Sequence, residues 1–501
     1  MQVNSFINCN RSGFTVAKST FSKPLLCIFL GIVFGVVLSY ALVTQFYFYQ
    51  AVIAGILCLP FIFVFLLYSP RQSLLSLLVL TIPFNPCFHI IRDQSFKFGI
   101  GLKFYTSDLV VILIFIYLFI SNCFDIRERH NCPTSIWQLA LPLLLWIIAG
   151  AISFIPAVNK SIAIIELIRM LRIFLIFFAI YKLVDKPEDF RLIAISLVIA
   201  FAIQAALVSM EYFAGHPLLR LPGESREADI AGLLFRPSGS MGHSSNFAKL
   251  ASLCLPICLA FIYVIQKNIW RIVVGLVLVT GLVSLIFTVS RAGFATSIFG
   301  LVWVSLLILK NKRRKAVKIV VPIIMLFIGM GLAWSLGGSR FMSRIQWDQG
   351  SALSRPQMYS VAWNVIKSHP FLGVGLNNYT LVASYYDNTP SAISINFPHP
   401  VHNIFLLHAA EMGILGAAFF IWFLFATISK AFKHSSDAKF LLDSVLAKAM
   451  GIGITCSWLQ GLIGWGFRGS IIHASYLAII AGALATLSCS YQNPRRDKNS
   501  V

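Results

Sequence analysis

The sequence predicts an all-α, polytopic integral membrane protein of about 14 (12–14) transmembrane helices, with a long outward loop carrying short amphipathic helices. Three observations predict it. Of the 501 residues, 58% are hydrophobic and only 12% are charged, too few charges to solvate an ordinary globular surface. Apolar runs of about 20 residues, the length that crosses the hydrocarbon core of a bilayer, recur along nearly the whole chain. These runs are continuous and lack the period-2 alternation that a β-barrel requires.

Taken in order, the predicted spans fall at roughly 24–44, 48–68, 72–91, 106–123, 136–156, 161–183, 189–212, 246–266, 271–289, 292–309, 319–337, 402–428, 447–465 and 471–490. The first follows a basic start (Arg11, Lys18, Lys23) without a small-residue cleavage site, and reads as a retained span rather than a removed signal peptide. An even number of spans puts both termini on one side. Arg71, Arg127, Arg129, Lys182, Lys186, Lys267, Arg271, Lys430, Lys433, Arg495, Arg496 and the run Lys310–Lys318 then share that side. Basic residues collect at cytoplasmic helix ends, so residues 1–23 and 491–501 are predicted to be cytoplasmic tails. The same bias accounts for the net charge of +22 and removes it as a sign of nucleic-acid binding. Most of the ten cysteines, such as Cys27, Cys58, Cys254, Cys258 and Cys456, lie inside apolar runs and read as small buried hydrophobes rather than a disulfide framework.

Two long excursions, at about 213–245 and 338–401, then face outward, with a tight outward turn at Ser290-Arg291-Ala292-Gly293. The outward segments carry Arg236, Arg291, Arg340, Arg344, Arg355 and Arg468, against the positive-inside bias. Two readings fit: scattered loop arginines, or a converging set that binds an anion. Planar guanidinium groups grip phosphate oxygens bidentately, so a diphosphate suits the second. Within the longer excursion Ser354 is placed to cap a helix with Pro356 in its first turn. Met358, Val361, Ala362 and Val365 then share one face, predicting an amphipathic helix lying on the membrane interface. His369-Pro370 ends it, and Gly373 and Gly375 permit a tight path beyond.

These motifs, in their order, resemble the O-antigen ligase and polymerase superfamily of bacterial membrane glycosyltransferases. The residues that carry the resemblance are Arg236-Pro237-Ser238-Gly239, Asn246-Phe247, Ser290-Arg291-Ala292-Gly293, His369-Pro370-Phe371-Leu372-Gly373-Val374-Gly375, His402-Asn403 and Glu411-x-Gly413-x-x-Gly416. It covers about residues 230–425, and the upstream spans match only as generic membrane helices. The resemblance implies transfer of a glycan from a polyprenyl (undecaprenyl) diphosphate carrier on the periplasmic side of the bacterial inner membrane. The acceptor would be a hydroxyl of a glycan or a lipid-linked molecule. It divides the chain into N-terminal helices over 24–212, a catalytic region over 213–428 that includes the periplasmic loop 338–401, and C-terminal helices over 429–490.

By that resemblance Arg236 and Arg291 hold the carrier diphosphate and stabilise it as a leaving group, and His402 is the general base for the acceptor hydroxyl. An imidazole titrating near 6.5 suits such a base. Asn403, Arg355, His369, Asn246 and Glu411 are the expected substrate-binding residues, with His243 and Lys249 beside Asn246. No cofactor and no metal are expected. His399 and His402 have metal-ligand spacing, but Asp348 and Asp387 are lone carboxylates and no Asp-x-Asp occurs. Plainer readings stand beside these: His402 as an interfacial histidine on a neighbouring carbonyl, Glu411 as a paired structural acid, and Ser244 or Ser245 as a simple helix cap. Glu166, Arg169 and Arg172, three apart on the sixth span, read as partners that neutralise one another or as the lining of a substrate groove. A transporter or flippase of anionic lipid-linked glycans is the competing function. Its polar groups would gather at mid-membrane rather than in loops at one face.

Overall fold

A computed structural model describes residues 69–84, 87–92, 101–123, 133–218, 235–309, 351–433, 441–464 and 471–490, with isolated positions between 331 and 342. The chain forms two compact units, Met1–Ser73 and Leu74–Val501; the architecture below is that of the second. The predicted spans 24–44 and 48–68, most of 319–337, the basic run Lys310–Lys318, and Arg340, Arg344 and Arg468 lie outside the described residues.

Helices dominate: α1 Pro70–Thr81, α2 Thr106–Cys123, α3 Pro133–Ile152, α4 Lys160–Leu183, α5 Pro187–Ala214, α6 Ser244–Val264, α7 Asn268–Phe287, α8 Arg291–Leu309, α9 Ser351–Ser368, α10 Ile404–Phe432, α11 Leu441–Leu459 and α12 Ile471–Ser490. Seven are long and apolar enough to cross a membrane, and α3 and α12 contribute shorter apolar segments. Their outward faces carry Phe119, Ile148, Leu276 and Phe425 exposed, which water would penalise and hydrocarbon solvates. The described part is therefore a multi-pass membrane bundle.

One predicted span fails. Residues 72–91 do not form one helix: α1 stops at Thr81, and Cys87–Arg92 (β1) pairs antiparallel with Gly101–Tyr105 (β2). Pro83 and Pro86 explain the break, because neither can donate the next helical hydrogen bond and each disfavours helix in the residue before it. Twelve helical residues span only about 18 Å, short of a bilayer core.

α6 is the most enclosed span and packs against α7, α8 and α11. Small residues set these close approaches: Gly293 of α8 lies over Ala248, and Gly453 of α11 over the backbone of Leu253. A second group pairs α3 with α10 and α4 with α12. Arg191 at the start of α5 grips Asp443 at the start of α11 through two hydrogen bonds of 2.6 and 2.9 Å. On α4, Glu166 pairs with Arg169 at 3.0 Å as its spacing suggests. Arg172 does not join them; it pairs with Asp108 of α2 and lies over the Tyr105 ring. Cys254, Cys258 and Cys456 are buried free thiols.

Helix α9 starts at Ser351, so Ser354 lies inside it rather than capping it. Met358, Val361, Ala362 and Val365 do share a face, and it is buried. It meets α10 and the short helices 379–386 and 393–396 rather than a membrane surface. Amphipathic spacing reports only that one face leaves water, and here protein covers it.

Candidate functional site

The His369–Tyr379 segment is a loop docked into a broken helix. α10 is interrupted at Gly413, whose backbone (φ 73°, ψ 174°) leaves the helical region. The break frees backbone groups that the loop then satisfies: Val374 N–H donates to Ala410 O at 3.0 Å, Gly375 N–H to Glu411 O at 3.0 Å, and Ile414 N–H to Pro370 O at 2.9 Å. Only glycine fits at two points of this contact. A Cβ on Gly413 would overlap the Phe371 carbonyl, and one on Gly373 would overlap the Glu411 backbone; both residues have positive φ. The Glu411 carboxylate, 1% exposed, accepts from Asn377 N–H at 2.9 Å and Tyr379 N–H at 3.3 Å. These contacts anchor the loop. Asn378 locks the far side of the loop, exchanging hydrogen bonds with the Asn159 backbone.

His402 sits where the chain re-enters the bundle. The Asn403 side-chain oxygen caps α10, accepting from Phe405 N–H at 3.0 Å and Leu406 N–H at 3.2 Å. That oxygen is thereby a helix cap. Tyr359 Oη of α9 lies 3.2 Å from His402 O and 2.9 Å from Leu462 O, and donates to one at a time. His402 Nδ1 and Arg355 Nε are buried without a hydrogen-bond partner. Burial, then the positive charge of Arg355 and the neighbouring His399, hold the His402 imidazole down at about 4, against a smaller upward pull from a hydrogen bond with Pro400. At neutral pH His402 is therefore uncharged, with a lower proton affinity than an ordinary histidine.

His369 is not brought to His402. It stands at the opposite end of α9 from Arg355, about 21 Å away at the helical rise of 1.5 Å per residue. Its Nε2 is hydrogen-bonded to Tyr386 Oη at 2.6 Å.

Arg236, of the upstream motif, reaches the turn that carries Arg291. Arg236 Nε donates to Thr288 O at 3.0 Å, so the Arg236 loop rests on the turn that carries Arg291. Ser290 caps that turn, its Oγ accepting from Gly293 N–H at 3.3 Å, and Arg291 is the first residue of α8. Beneath the Arg236-Pro237-Ser238-Gly239 turn, Glu211 accepts from Ser238 N–H at 3.0 Å and Gly239 N–H at 2.9 Å. Gln204, likewise from α5, holds Ser240 through both its backbone and its hydroxyl. His243, not Ser244 or Ser245, caps α6, its Nδ1 accepting from Ser245 N–H at 3.0 Å. Burial and the charges of Arg236 and Lys249 lower His243 to about 4. Asn246 Nδ2 donates to Met241 O at 3.0 Å, which ties down the 3-10 turn over Gly239–Met241.

Residues 276–421 match the family model described as O-antigen ligase. This stretch of the chain is similar to the O-antigen ligase family. It contains Arg291, the docked loop, His402 and the broken helix, while Arg236 and its anchors lie upstream. No curated protein matches the chain.

Around the matched region, a cluster of polar side chains lies behind Arg291. Ser252 Oγ of α6 lies 3.0 Å from Thr296 Oγ1 and 2.9 Å from Ser297 Oγ, both on α8 behind Arg291. Gln460 Nε2 donates to Ser252 and Thr296 at 2.8 and 3.0 Å. Two residues later, Leu462 O faces the Tyr359 hydroxyl that also reaches His402. Among the described residues no three His, Cys, Asp or Glu side chains converge as metal ligands. Both Asp387 oxygens accept hydrogen bonds from Thr389 and Ser394. Partial burial raises that carboxyl, and these bonds outweigh it and bring it to about 2.

Sequence reasoning missed Glu211, Gln204 and Gln460. Each is a lone polar residue in or beside an apolar span, which is itself a signal, since buried polar groups need partners.

Proposed function

We propose that the chain is a periplasm-facing glycan transferase of the bacterial inner membrane that uses a polyprenyl diphosphate-linked glycan as donor. The observation that carries the proposal is a pair of sites, one of arginines and one of a histidine, on the same bundle. In one, the Arg236 loop rests on the Arg291 turn; in the other, a half-buried, uncharged His402 stands beside Arg355.

In this reading Arg236 and Arg291 grip the donor's diphosphate, and Arg355 guards the approach to His402. The His402 imidazole takes the proton of the acceptor hydroxyl as its oxygen bonds to the anomeric carbon. The bond from that carbon to the diphosphate oxygen breaks, and the electron pair leaves with the polyprenyl diphosphate. The arginines supply fixed positive charge where negative charge develops, the role a divalent cation plays elsewhere; removing one such preorganised donor typically costs about 3 kcal/mol of transition-state stabilisation.

The test is reconstitution of the purified chain with a polyprenyl diphosphate glycan and alternative hydroxyl acceptors, in excess EDTA. Release of polyprenyl diphosphate with glycosylation of an acceptor is the expected result. Abolition by EDTA with rescue by Mg²⁺ or Mn²⁺ would contradict the metal-free mechanism.

A further inference from the structure

We propose that Phe371 and Leu372, at the tip of the docked loop, are seated in lipid. With Ile414 and Leu415 of α10 they make an apolar edge whose partner is the acyl chains of bilayer phospholipids. Pro370–Leu376 carries no charged and no hydrogen-bonding side chain. Val374 and Leu376 of this stretch are buried, whereas Phe371 is 75% exposed and Leu372 40%.

Continuity with the lipid-facing surface identifies the partner. Across the docking contact, Ile414 is 53% and Leu415 57% exposed. Leu415, Ala418, Trp422 and Phe425 are all exposed and recur every three or four residues, so they lie along one face of α10. Phe425 belongs to the belt that hydrocarbon solvates, and the Phe371 backbone packs on Gly413, two residues before this stripe begins. The loop also sits low enough to reach lipid. A Cβ on Gly150 would lie 3.2 Å from Leu376 Cδ1, and one on Gly416 would lie 3.5 Å from Ala149 Cβ. Loop and stripe therefore meet beside the last turns of α3, where Ile148 and Ile152 are exposed as well.

Water penalises such an edge, and a polar partner surface would gain nothing from it. Lipid makes one further demand: backbone polar groups that approach hydrocarbon must be satisfied within the protein. The loop meets it at four points. Gly373, Val374 and Gly375 N–H donate to the carbonyls of His369, Ala410 and Glu411, and Pro370 O accepts from Ile414 N–H. On α9, just before the loop, Trp363 and Lys367 are exposed, with the ammonium 5.8 Å from the ring centre. Tryptophan and lysine side chains suit the headgroup layer of a bilayer. The lipid seat does not rest on the transferase reading.

The experiment is photocrosslinking of the full chain reconstituted in phosphatidylcholine vesicles. The photoreactive residue p-benzoylphenylalanine takes the place of Phe371, Leu372, Phe425 or Asn388, one at a time, and adducts are read by mass spectrometry after irradiation. Phe425 is the lipid-facing reference and Asn388 the aqueous one. Positions 371 and 372 are expected to capture phospholipid as position 425 does, and position 388 to capture none. Two probes of one edge are used so that a folding defect at either, seen as lowered thermal melting, leaves the other to decide. Absence of phospholipid adducts at a correctly folded 371 or 372 probe, with capture at 425, would overturn the proposal. So would capture of a second copy of the chain in place of lipid, or equal lipid capture at 388.

Discussion

At the scale of single residues, the account turns on the protonation state of His402. With its imidazole held at about 4 by burial, Arg355 and His399, the base is already deprotonated through the neutral range. The acid limb of kcat/KM is therefore expected near pH 4 rather than near the ordinary histidine value of about 6.5. Arg355→Gln removes the repelling charge but not the burial, so the limb should rise yet stay below the ordinary value. A parent limb at about 6.5, or no movement in the variant, would contradict the assignment. Stability follows the same sign. The unfolded histidine binds a proton more readily than the folded one, so the contribution of His402 is complete above about pH 6.5 and is lost as pH falls toward 4.

At the scale of elements, the docked loop and broken helix behave as one unit. Gly413→Ala demands positive φ from alanine and overlaps the Phe371 carbonyl, so it should undock the loop, lower the melting temperature by several degrees and cut activity more than tenfold. Glu411→Gln keeps the shape but not the charge of a buried acceptor for two backbone N–H groups, and should cost about 1–2 kcal/mol. Thermal melting and proteolysis in detergent read both; parent-like melting of Gly413→Ala would show that the contact does not hold the loop. This unit marks the limit of what was legible in the sequence. His369-Pro370 announced the end of α9, and Gly373 and Gly375 a tight path, because proline and glycine act locally. That Glu411 serves the loop, and that α10 breaks at Gly413, depends on contacts across more than thirty residues, which no local pattern encodes. The β1–β2 ribbon was hidden likewise, since Cys87–Arg92 is apolar enough to pass for the tail of a span.

At the scale of the whole molecule, hydropathy located α2 to α8, α10 and α12 to within a few residues, and α11 with both ends six residues too late, because continuous apolar runs leave a chain in lipid few alternatives to helix. The positive-inside argument expects a cysteine introduced near Asn388 to react with an impermeant reagent in intact cells, and one near Lys312 to be protected. The reverse pattern would sink the periplasmic assignment.

The central claim is a division of labour between arginines and histidine, and one paired measurement tests it most directly: affinity for a non-transferable lipid-diphosphate glycan together with the single-turnover rate, in the same detergent. His402→Ala should bind donor like the parent and lose turnover. Arg236→Ala and Arg291→Ala should lose both, with lysine at either position restoring charge but not the planar fork, and so only part of the function. Normal turnover by His402→Ala, or parent-like donor binding by both arginine variants, would contradict the account.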